Sequence, residues 1–352
     1  MVEINVINLY KKIIENYWNN RSFVLFKKPY EKKIYFFSQE EKSKKENNFF
    51  LIVSFDQNCI IKIYTKKIFF INIENQKKMN NFIFPLKNRE TSLLIYSKKY
   101  KNLIEKSIET IKKNRNLEKI VVSRCIKIPF QNFYLKKTFQ KLIYSYPNAF
   151  ITLWYDLNHG FWIGASPELL VKCHDKKLKT VALAGTIWGN HKWTKKEIEE
   201  HHIVIKYFLN FFKKFSGNLC IEKTRILNIG HLHHLETPIS FSFLEKKNYF
   251  KILSDMSPTP SICGFPKNNS LEYLQKYEGY QRNFYAGYLG PVYDGGSKIE
   301  LYLNLRCGKI KMEKKEIILY AGSGITKDSE TNKEYTETEN KFKNILSQFI
   351  FD

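Results

Sequence analysis

Short runs of β-branched and aromatic residues recur along most of this 352-residue chain, and this pattern constrains its fold more than any other feature. Each run is bounded by Gly, Pro or charged residues, which is the pattern typical of β-strands. The runs predict strands at 49–54, 59–64, 68–73, 120–126, 149–155, 169–173, 180–183, 299–305 and 317–320.

Three stretches predict helices instead. Apolar residues at Leu103, Ile104, Ile108 and Ile111 follow helical spacing, so 100–115 should form an amphipathic helix. Longer helices are predicted at 194–215 and 332–349. Because several strands come in succession with helices between groups of them, we predict an α+β fold with mixed or antiparallel sheets rather than regular βαβ units.

Composition supports a globular protein. Hydrophobic residues make up 43% of the chain, with 28 Phe and 22 Tyr, which is enough for a sizeable core. No stretch approaches the length of about 20 apolar residues that crosses a bilayer, and no signal-peptide pattern begins the sequence. We therefore predict a cytoplasmic protein that does not associate with membranes.

The net charge of +24 would ordinarily suggest a nucleic-acid partner. The lysines are spread along the whole chain rather than gathered in one block, however, and no nucleic-acid-binding motif accompanies them, so we do not predict such a partner. The six cysteines contain no Cys-x-x-Cys pair, which argues against a zinc ribbon or a redox motif and favours reduced thiols.

The last predicted helix carries Glu334, Glu337 and Lys341 at positions i, i+3 and i+7, which places all three on one face. Just before it, the segment Ala321-Gly-Ser-Gly324 follows a predicted strand, and its backbone N–H groups could bind a carboxylate. The ordinary alternative is a solvated, salt-bridged helix face after a glycine turn. Spacing alone leaves both interpretations open.

Other polar groups stand at the ends of predicted elements. Glu200 lies in an acidic cluster near the start of the 194–215 helix, where helix-dipole effects alone could explain acidic residues. Carboxylate ligands suit Mg²⁺, whereas the histidines lack the spacing of a zinc site. The remaining candidates are Glu168 in Gly164-Ala-Ser-Pro-Glu168, Gly185 and Thr186 in Ala184-Gly-Thr186, and Lys119 and Arg306 at strand ends.

Taken in chain order, these pieces resemble the chorismate-binding enzyme family from about residue 95 to 350. The resemblance implies large mixed or antiparallel sheets flanked by helices, with the active site between them. It also implies a catalytic region at 95–352 and a variable, β-rich part of the same fold at 1–94. The matching segments are Glu118-Lys-Ile-Val-Val-Ser-Arg124, Gly164-Ala-Ser-Pro-Glu168, Leu183-Ala-Gly-Thr186, Glu200-His201, His234-Leu-Glu-Thr237, Pro258-Thr-Pro260, Cys263-Gly264, Tyr285-Ala-Gly287, Asn304-Leu-Arg306, and Tyr320-Ala-Gly-Ser-Gly-Ile325 through Lys341.

Two positions indicate which members of the family this chain is most similar to. Lys119 stands where the water-activating members have lysine and the ammonia-using members typically have glutamine. Ala184 stands where aminodeoxychorismate synthases have a nucleophilic lysine. The resemblance is therefore greatest to the members that convert chorismate to isochorismate. The next most similar members are those that eliminate pyruvate to give salicylate, followed by the ammonia-using members. The alternative outside the enzymes is an inactive basic relative that binds nucleic acid.

The resemblance also implies roles for single residues. Lys119 would be the general base and Glu168 the general acid, while Glu200 and Glu337 would bind Mg²⁺ with support from Glu334. Chorismate and isochorismate are the expected partners, and we expect a monomer or weak homodimer. The chain departs from the family pattern at two positions. Ser257 stands where the family usually has histidine, and Thr331 stands where the family often has proline. The substrate-binding residues would be Gly185, Thr186, Tyr285, Arg306, Gly322, Gly324 and Lys341.

Overall fold

The computed structural model describes residues 1–39, 46–73, 98–114, 116–189 and 191–352. The predicted N-terminal part at 1–94 and the predicted helix at 100–115 therefore extend in part beyond the described residues. Within them lie α1 (Val6–Trp18), α2 (Lys98–Lys113), α3 (Leu135–Ser145), α4 (Lys195–Phe212), α5 (Tyr249–Met256), α6 (Lys267–Tyr277) and α7 (Thr331–Leu346).

The strands alternate with these helices in irregular groups, as the α+β prediction requires. They are β1 (Val2–Glu3), β2 (Phe23–Lys27), β3 (Lys33–Ser38), β4 (Phe49–Val53), β5 (Ile60–Tyr64), β6 (Phe69–Asn72), β7 (Lys119–Pro129), β8 (Phe150–Asp156), β9 (Gly160–Ser166), β10 (Leu169–His174), β11 (Lys177–Trp188), β12 (Gly217–Ile221), β13 (Arg225–Ile229), β14 (Leu232–Phe243), β15 (Gly264–Phe265), β16 (Tyr288–Tyr293), β17 (Lys298–Leu303), β18 (Cys307–Lys311) and β19 (Glu316–Ile325).

The strands form two large sheets. The first has the order β1-β6-β3-β2-β8-β9-β18-β19-β7-β15, and the second has the order β12-β14-β11-β10-β17-β16-β4-β5 with β13 beside β14. The pairing is antiparallel apart from β1 with β6. Antiparallel strands need only short connections, which explains how so many strands follow one another directly.

Aromatic side chains fill the core between the two sheets. The ring of Phe150 on β8 stacks on the ring of Tyr302 on β17, with centroids 4.1 Å apart. Phe26 on β2 meets Phe50 on β4 at 5.1 Å. Each pair joins one sheet to the other, so aromatic packing is a principal contact between the layers.

The first 73 residues contribute to both sheets. Strand β2 pairs with β8 in the first sheet, and β4 pairs with β16 in the second. Helix α1 was not predicted, because the many β-branched and aromatic residues around it favour strands in propensity even though its own apolar residues follow helical spacing. Leu9 of α1 is buried against the first sheet.

Two glycine segments that look like turns in the sequence belong to strands. Strand β19 continues through Gly322 and Gly324 to Ile325 and pairs with β7 along its whole length. Strand β11 continues past Gly185 with a bulge between Ala184 and Thr186. The glycine turn at 321–324 that the alternative interpretation assumed is therefore wrong, because this segment continues β19 and pairs with β7.

The contact between Phe150 and Tyr302 should be important for stability. Because Phe150 is completely buried, we expect Phe150→Ala to lower the free energy of unfolding by about 3–5 kcal/mol. The control is Ile7→Ala, since Ile7 is 67% exposed on α1 and its truncation should change stability by less than about 0.5 kcal/mol. Denaturant-induced unfolding of both variants tests this, and equal losses would contradict the role assigned to the aromatic core.

Candidate active site

One pocket collects most of the residues that the sequence predicts for the site. It lies where the ends of β11 and β19 meet the first turns of α4, the loop before β16 and the loop between β17 and β18. Chain segments far apart in sequence thus supply one cavity, as the prediction required. The predicted residues that line it are Glu168, Gly185, Thr186, Glu200, Tyr285, Arg306, Gly322, Gly324 and Lys341.

The other three predicted residues join this pocket through ion pairs. Lys119 Nζ lies 3.0 Å from Glu200 Oε1, and the Lys119 side chain is completely buried. Glu334 Oε1 lies 2.8 Å from Lys196 Nζ, which is also 3.0 Å from Glu200 Oε2. Glu337 Oε1 accepts a hydrogen bond of 2.5 Å from Lys341 Nζ. All of the predicted groups therefore belong to one connected cluster.

The beginning of α4 fixes the position of Glu200. Thr194 and Glu197 form a capping box at the helix N-terminus, and Glu199 lies 3.5 Å from Lys195 in an exposed pair. Glu197 and Glu199 thus have the ordinary roles expected of acidic residues in a first helical turn. Among the three acidic residues of this segment, Glu200 alone lines the pocket.

Gly324 makes room for this arrangement. A Cβ atom on residue 324 would lie 2.1 Å from Glu200 Oε1 and 2.9 Å from Lys119 Cε. Such distances are too short for nonbonded atoms, so any side chain here would displace the pair of Lys119 and Glu200. The glycine serves close packing of side chains against a strand rather than a turn.

Helix α7 supplies the face that its spacing predicts. Lys341 Nζ donates hydrogen bonds to Glu337 Oε1 and, at 2.7 Å, to the carbonyl oxygen of Gly322. One turn earlier, Glu334 accepts a 2.7 Å hydrogen bond from Ser329 Oγ. The alternative of an exposed helix face is wrong, since Glu334 is buried and the side chains of Glu337 and Lys341 are only 14% and 11% exposed.

Burial and the neighbouring charged groups shift the pKa values of the carboxyl groups in this cluster. Burial alone would raise the pKa of Glu200, but Lys119 and Lys196 outweigh it and hold the pKa well below its usual range. Burial raises the pKa of Glu334, and the negative charges of Glu337 and Glu200 raise it further against the effect of Lys196. The cluster therefore keeps Glu200 ionised and makes Glu334 more easily protonated than Glu200.

Glu168 stands in a different environment. Burial raises its pKa to about 8, although the positive charges of Lys119, Arg306 and Lys341 oppose the shift. A carboxyl with this pKa is mostly protonated at neutral pH and can donate a proton. This is the direction that the predicted general-acid role requires.

The positively charged side chains of Arg306 and Lys341 line the pocket together with the carboxylate of Glu200. Arg306 Nη2 lies 3.3 Å from His234 Nε2, and His234 Nδ1 lies 3.1 Å from Thr186 Oγ1. Burial and the charges of Arg306 and Lys341 keep the pKa of His234 well below its usual value, so its ring is neutral and Nε2 can accept from Arg306. Within the described residues Arg306 Nε has no hydrogen-bond partner, which leaves it suited to bind an anion.

Comparison with known proteins agrees with this geometry. The family model described as "Chorismate binding enzyme" matches residues 36–350. The chain belongs to the chorismate-binding enzyme family. The match begins well before residue 95, where the sequence motifs start, so the family fold includes much of the N-terminal part.

Individual members of the family are similar over different lengths. The salicylate biosynthesis isochorismate synthase of Pseudomonas aeruginosa is 30% identical over 190 residues, which cover 50% of this chain and 39% of the relative. The chain thus spans less than half the length of that relative. The structure of DhbC from Bacillus anthracis has a TM-score of 0.77 with 22% identity, and the superposition covers 97% of this chain and 99% of the DhbC chain. MenF from Escherichia coli has a TM-score of 0.74 with 18% identity, covering 93% and 88% respectively.

These structural similarities confirm the predicted fold class, a chorismate-utilising α+β fold with large sheets flanked by helices. Among the described residues, no helix of this family member combines the length and apolar character needed to traverse a bilayer. The assignment of separate roles to 1–94 and 95–352 stays a prediction.

Two residues of the site were missed as functional groups in the sequence. His234 falls within a recognised motif, yet its contact with Arg306 joins β14 to the loop between β17 and β18 and cannot be read from spacing. Lys196 could have been found, because it precedes Glu200 by four residues and such pairs lie on the same helix face.

The carboxylates offer oxygen ligands of the type that Mg²⁺ prefers. Within the described ranges, no three His, Cys, Asp or Glu side chains are arranged as a ready-made metal site. Mg²⁺ is commonly bound through one or two carboxylates plus substrate oxygens and water, so Glu200 and Glu337 fit that donor set. Glu334 Oε2 is buried and has no partner in the described structure, which suits a supporting contact through water.

The raised pKa of Glu168 predicts a pH-dependent stability. Because the pKa is about 8 in the folded protein and about 4.5 in the unfolded chain, folding is favoured by protonation and stability falls as the pH rises from 5 to 8. Glu168→Gln cannot ionise, so between pH 5 and pH 8 its free energy of unfolding should fall by about 3–4 kcal/mol less than that of the wild-type protein.

Denaturant unfolding at pH 5 and pH 8 measures this difference. Glu313→Gln serves as the control because Glu313 is exposed in the turn between β18 and β19. If the Glu168→Gln and wild-type proteins lose the same stability between the two pH values, the carboxyl of Glu168 does not have the raised pKa.

Proposed function

We propose that this protein is an isochorismate synthase that converts chorismate to isochorismate with the help of Mg²⁺. The observation that carries the proposal is the presence of a buried lysine, Lys119, and a carboxyl with a raised pKa, Glu168, at one pocket of a chorismate-binding fold. A base and an acid are the two groups that water addition with loss of a hydroxyl group demands.

The pocket offers charge complementary to a dianionic substrate. Arg306 and Lys341 can bind the two carboxylates of chorismate, and both residues line the pocket. Gly185 and Thr186 border it at the bulge of β11, and Tyr285 adds an aromatic wall. Two carboxylates held at fixed points orient the ring between Lys119 and Glu168, which is the main requirement for a selective reaction.

Glu200 and Glu337 would hold the Mg²⁺, with Glu334 in support. When bound, the ion would supply positive charge to a substrate carboxylate and polarise the ring. Lys119 can act as a base only in its neutral form.

The reaction balances without any external reagent. Lys119 removes a proton from water while the water oxygen bonds to ring carbon 2. The ring double bonds shift, the bond from carbon 4 to its hydroxyl oxygen breaks, and Glu168 donates a proton so that the group leaves as water. Lys119 thus gains one proton and Glu168 loses one, and solvent restores both.

The lysine at position 119 favours water over ammonia as the nucleophile. Further elimination of pyruvate to give salicylate is the second candidate reaction, and it requires no additional residue type in the pocket. We propose that the product enters menaquinone or catechol-type synthesis. Location in the cytoplasm, a monomeric or weakly dimeric state and the absence of a nucleic-acid partner also stay predictions.

The products formed from chorismate distinguish these reactions. Purified protein incubated with chorismate and Mg²⁺ should give isochorismate on chromatography, and a chelator should abolish turnover that added Mg²⁺ then restores. Salicylate with pyruvate would contradict the choice of product. Duplex DNA binding at physiological salt with no turnover would instead support an inactive relative.

Lys119→Gln should reduce isochorismate formation by at least about 100-fold, because the amide cannot accept a proton from water. Binding of chorismate in the presence of Mg²⁺ should remain measurable by calorimetry. Lys127→Gln is the matched control, since Lys127 lies on the same strand but is exposed. Turnover by Lys119→Gln equal to that of the control would exclude Lys119 as the base.

A further inference from the structure

A second cluster of reactive groups lies outside the active-site pocket, where the segment between β4 and β5 meets the turn between β8 and β9. Cys59 Sγ lies 3.7 Å from His159 Nε2. His159 Nδ1 lies 2.7 Å from Asp156 Oδ1. A thiol, an imidazole and a carboxylate thus follow one another in hydrogen-bond contact, which is the order of a nucleophile, its base and the group that orients the base.

The carboxylate determines which nitrogen of His159 carries the proton. Asp156 can only accept hydrogen bonds, so Nδ1 must be the donor, and a neutral ring then has its lone pair on Nε2 facing Cys59. Asp156 is itself held in place, because Oδ2 accepts a 2.9 Å bond from Ser22 Oγ and Oδ1 accepts a bond of 3.1 Å from the backbone N–H of Asn158. The imidazole is therefore preorganised to accept a proton from the thiol.

This cluster is accessible to small molecules. Cys59 is partly exposed, and the side chain of His159 is 30% exposed. The thiols of Cys173, Cys263 and Cys307 are buried, whereas Cys220 is exposed on β12. The exposed Cys220 thus provides an internal reference for the reactivity of Cys59.

The resting state of the thiol follows from its surroundings. Partial burial, together with the negative charges of Asp156 and Asp56, raises the pKa of Cys59. The thiol is thus mostly protonated at neutral pH, and fast reaction requires that its proton be removed as the sulfur attacks. His159 Nε2 is in the position to remove it.

We propose that Cys59 is a modification site at which His159 activates the thiol towards hydroperoxides and small carbon electrophiles, with Asp156 as a positioning residue. With a hydroperoxide, sulfur attacks the nearer oxygen, the O–O bond breaks, the thiol proton passes to His159 Nε2, and a proton from solvent completes the leaving alcohol or water. The cysteine is oxidised to sulfenic acid and the peroxide is reduced. This proposal does not depend on the function proposed for the pocket.

The contacts of His159 extend towards the pocket. Its ring packs edge-on against Phe284 at 4.9 Å, and Phe284 directly precedes Tyr285 of the pocket wall. The backbone N–H of Phe55 also donates a 2.8 Å bond to the carbonyl oxygen of Asn283 in the same loop. Modification of Cys59 therefore takes place beside the segment that carries Tyr285.

The rate of alkylation tests the proposal on the intact protein. Iodoacetamide at neutral pH, followed by peptide mass spectrometry, gives separate rates for Cys59 and Cys220. Cys59 should react faster than Cys220 despite its lower exposure. His159→Gln should slow Cys59 by at least about tenfold and leave Cys220 unchanged, because the amide cannot take the proton. Hydrogen peroxide with a sulfenic-acid trap should label Cys59 in preference to Cys220.

Asp156→Asn separates orientation from simple electrostatics. Loss of the nearby negative charge would by itself lower the thiol pKa and speed the reaction. An amide donating to Nδ1 would instead force the proton onto Nε2 and slow it, as the proposal predicts. A faster Cys59 in Asp156→Asn, an unchanged rate in His159→Gln, or a wild-type Cys59 slower than Cys220 would each overturn the proposal. Labelling of the buried Cys173 would show that a variant is unfolded. In that case the ratio of the Cys59 rate to the Cys220 rate in the wild-type protein tests the proposal.

Discussion

The site depends on one electrostatic constraint, the burial of several carboxylates side by side. Glu200 and Glu334 are both removed from solvent, and two ionised carboxylates in that position would repel each other strongly. Lys196 lies between them and contacts both, while Lys119 contacts the other oxygen of Glu200. The lysines make the arrangement tolerable, and the carboxylates in turn keep the pKa of Lys196 well above its usual value.

The burial of these carboxylates also restricts which residues the backbone around the site can carry. A side chain at residue 324 would occupy the space of the Glu200 carboxylate, so the end of β19 must be glycine where it passes α4. Helix α7 then lies against that strand, with Lys341 bonded to the carbonyl oxygen of Gly322. The candidate active-site groups on α4, α7, β7 and β19 are thus held by contacts among themselves as well as by the core between the sheets. Cys59 and His159 form a separate cluster, in which His159 contacts Phe284 of the loop that also carries Tyr285.

Much of this organisation could be predicted because local patterns carried it. Alternating strand segments gave the fold class, and the spacing of Glu334, Glu337 and Lys341 gave a shared helix face. The true extent of β19 could not be predicted, because glycines normally mark turns and only the partner strand β7 keeps Gly322 and Gly324 extended. The contact of His234 with Arg306 could not be predicted either, since it joins a residue of β14 to one in the loop between β17 and β18. Helix α1 was missed because β-branched and aromatic residues favour strands, although its own apolar residues follow helical spacing. The contact of Cys59 with His159 joins distant segments and could not be read from local spacing.

The division of the N-terminal strands between both sheets has a consequence for how the chain is made. Strand β2 can pair with β3 at once, but its other neighbour, β8, emerges only with residues near 154. Strand β4 likewise pairs early with β5 and must await residues near 289 for its other neighbour, β16. Until then the Phe-rich segments at 23–27 and 49–53 each keep one strand edge unpaired. Pairing between strands that lie far apart in sequence slows folding. In the meantime, the unpaired strand edges can associate with other chains. A nascent chain of this protein should therefore rely on chaperones until its last third has been translated.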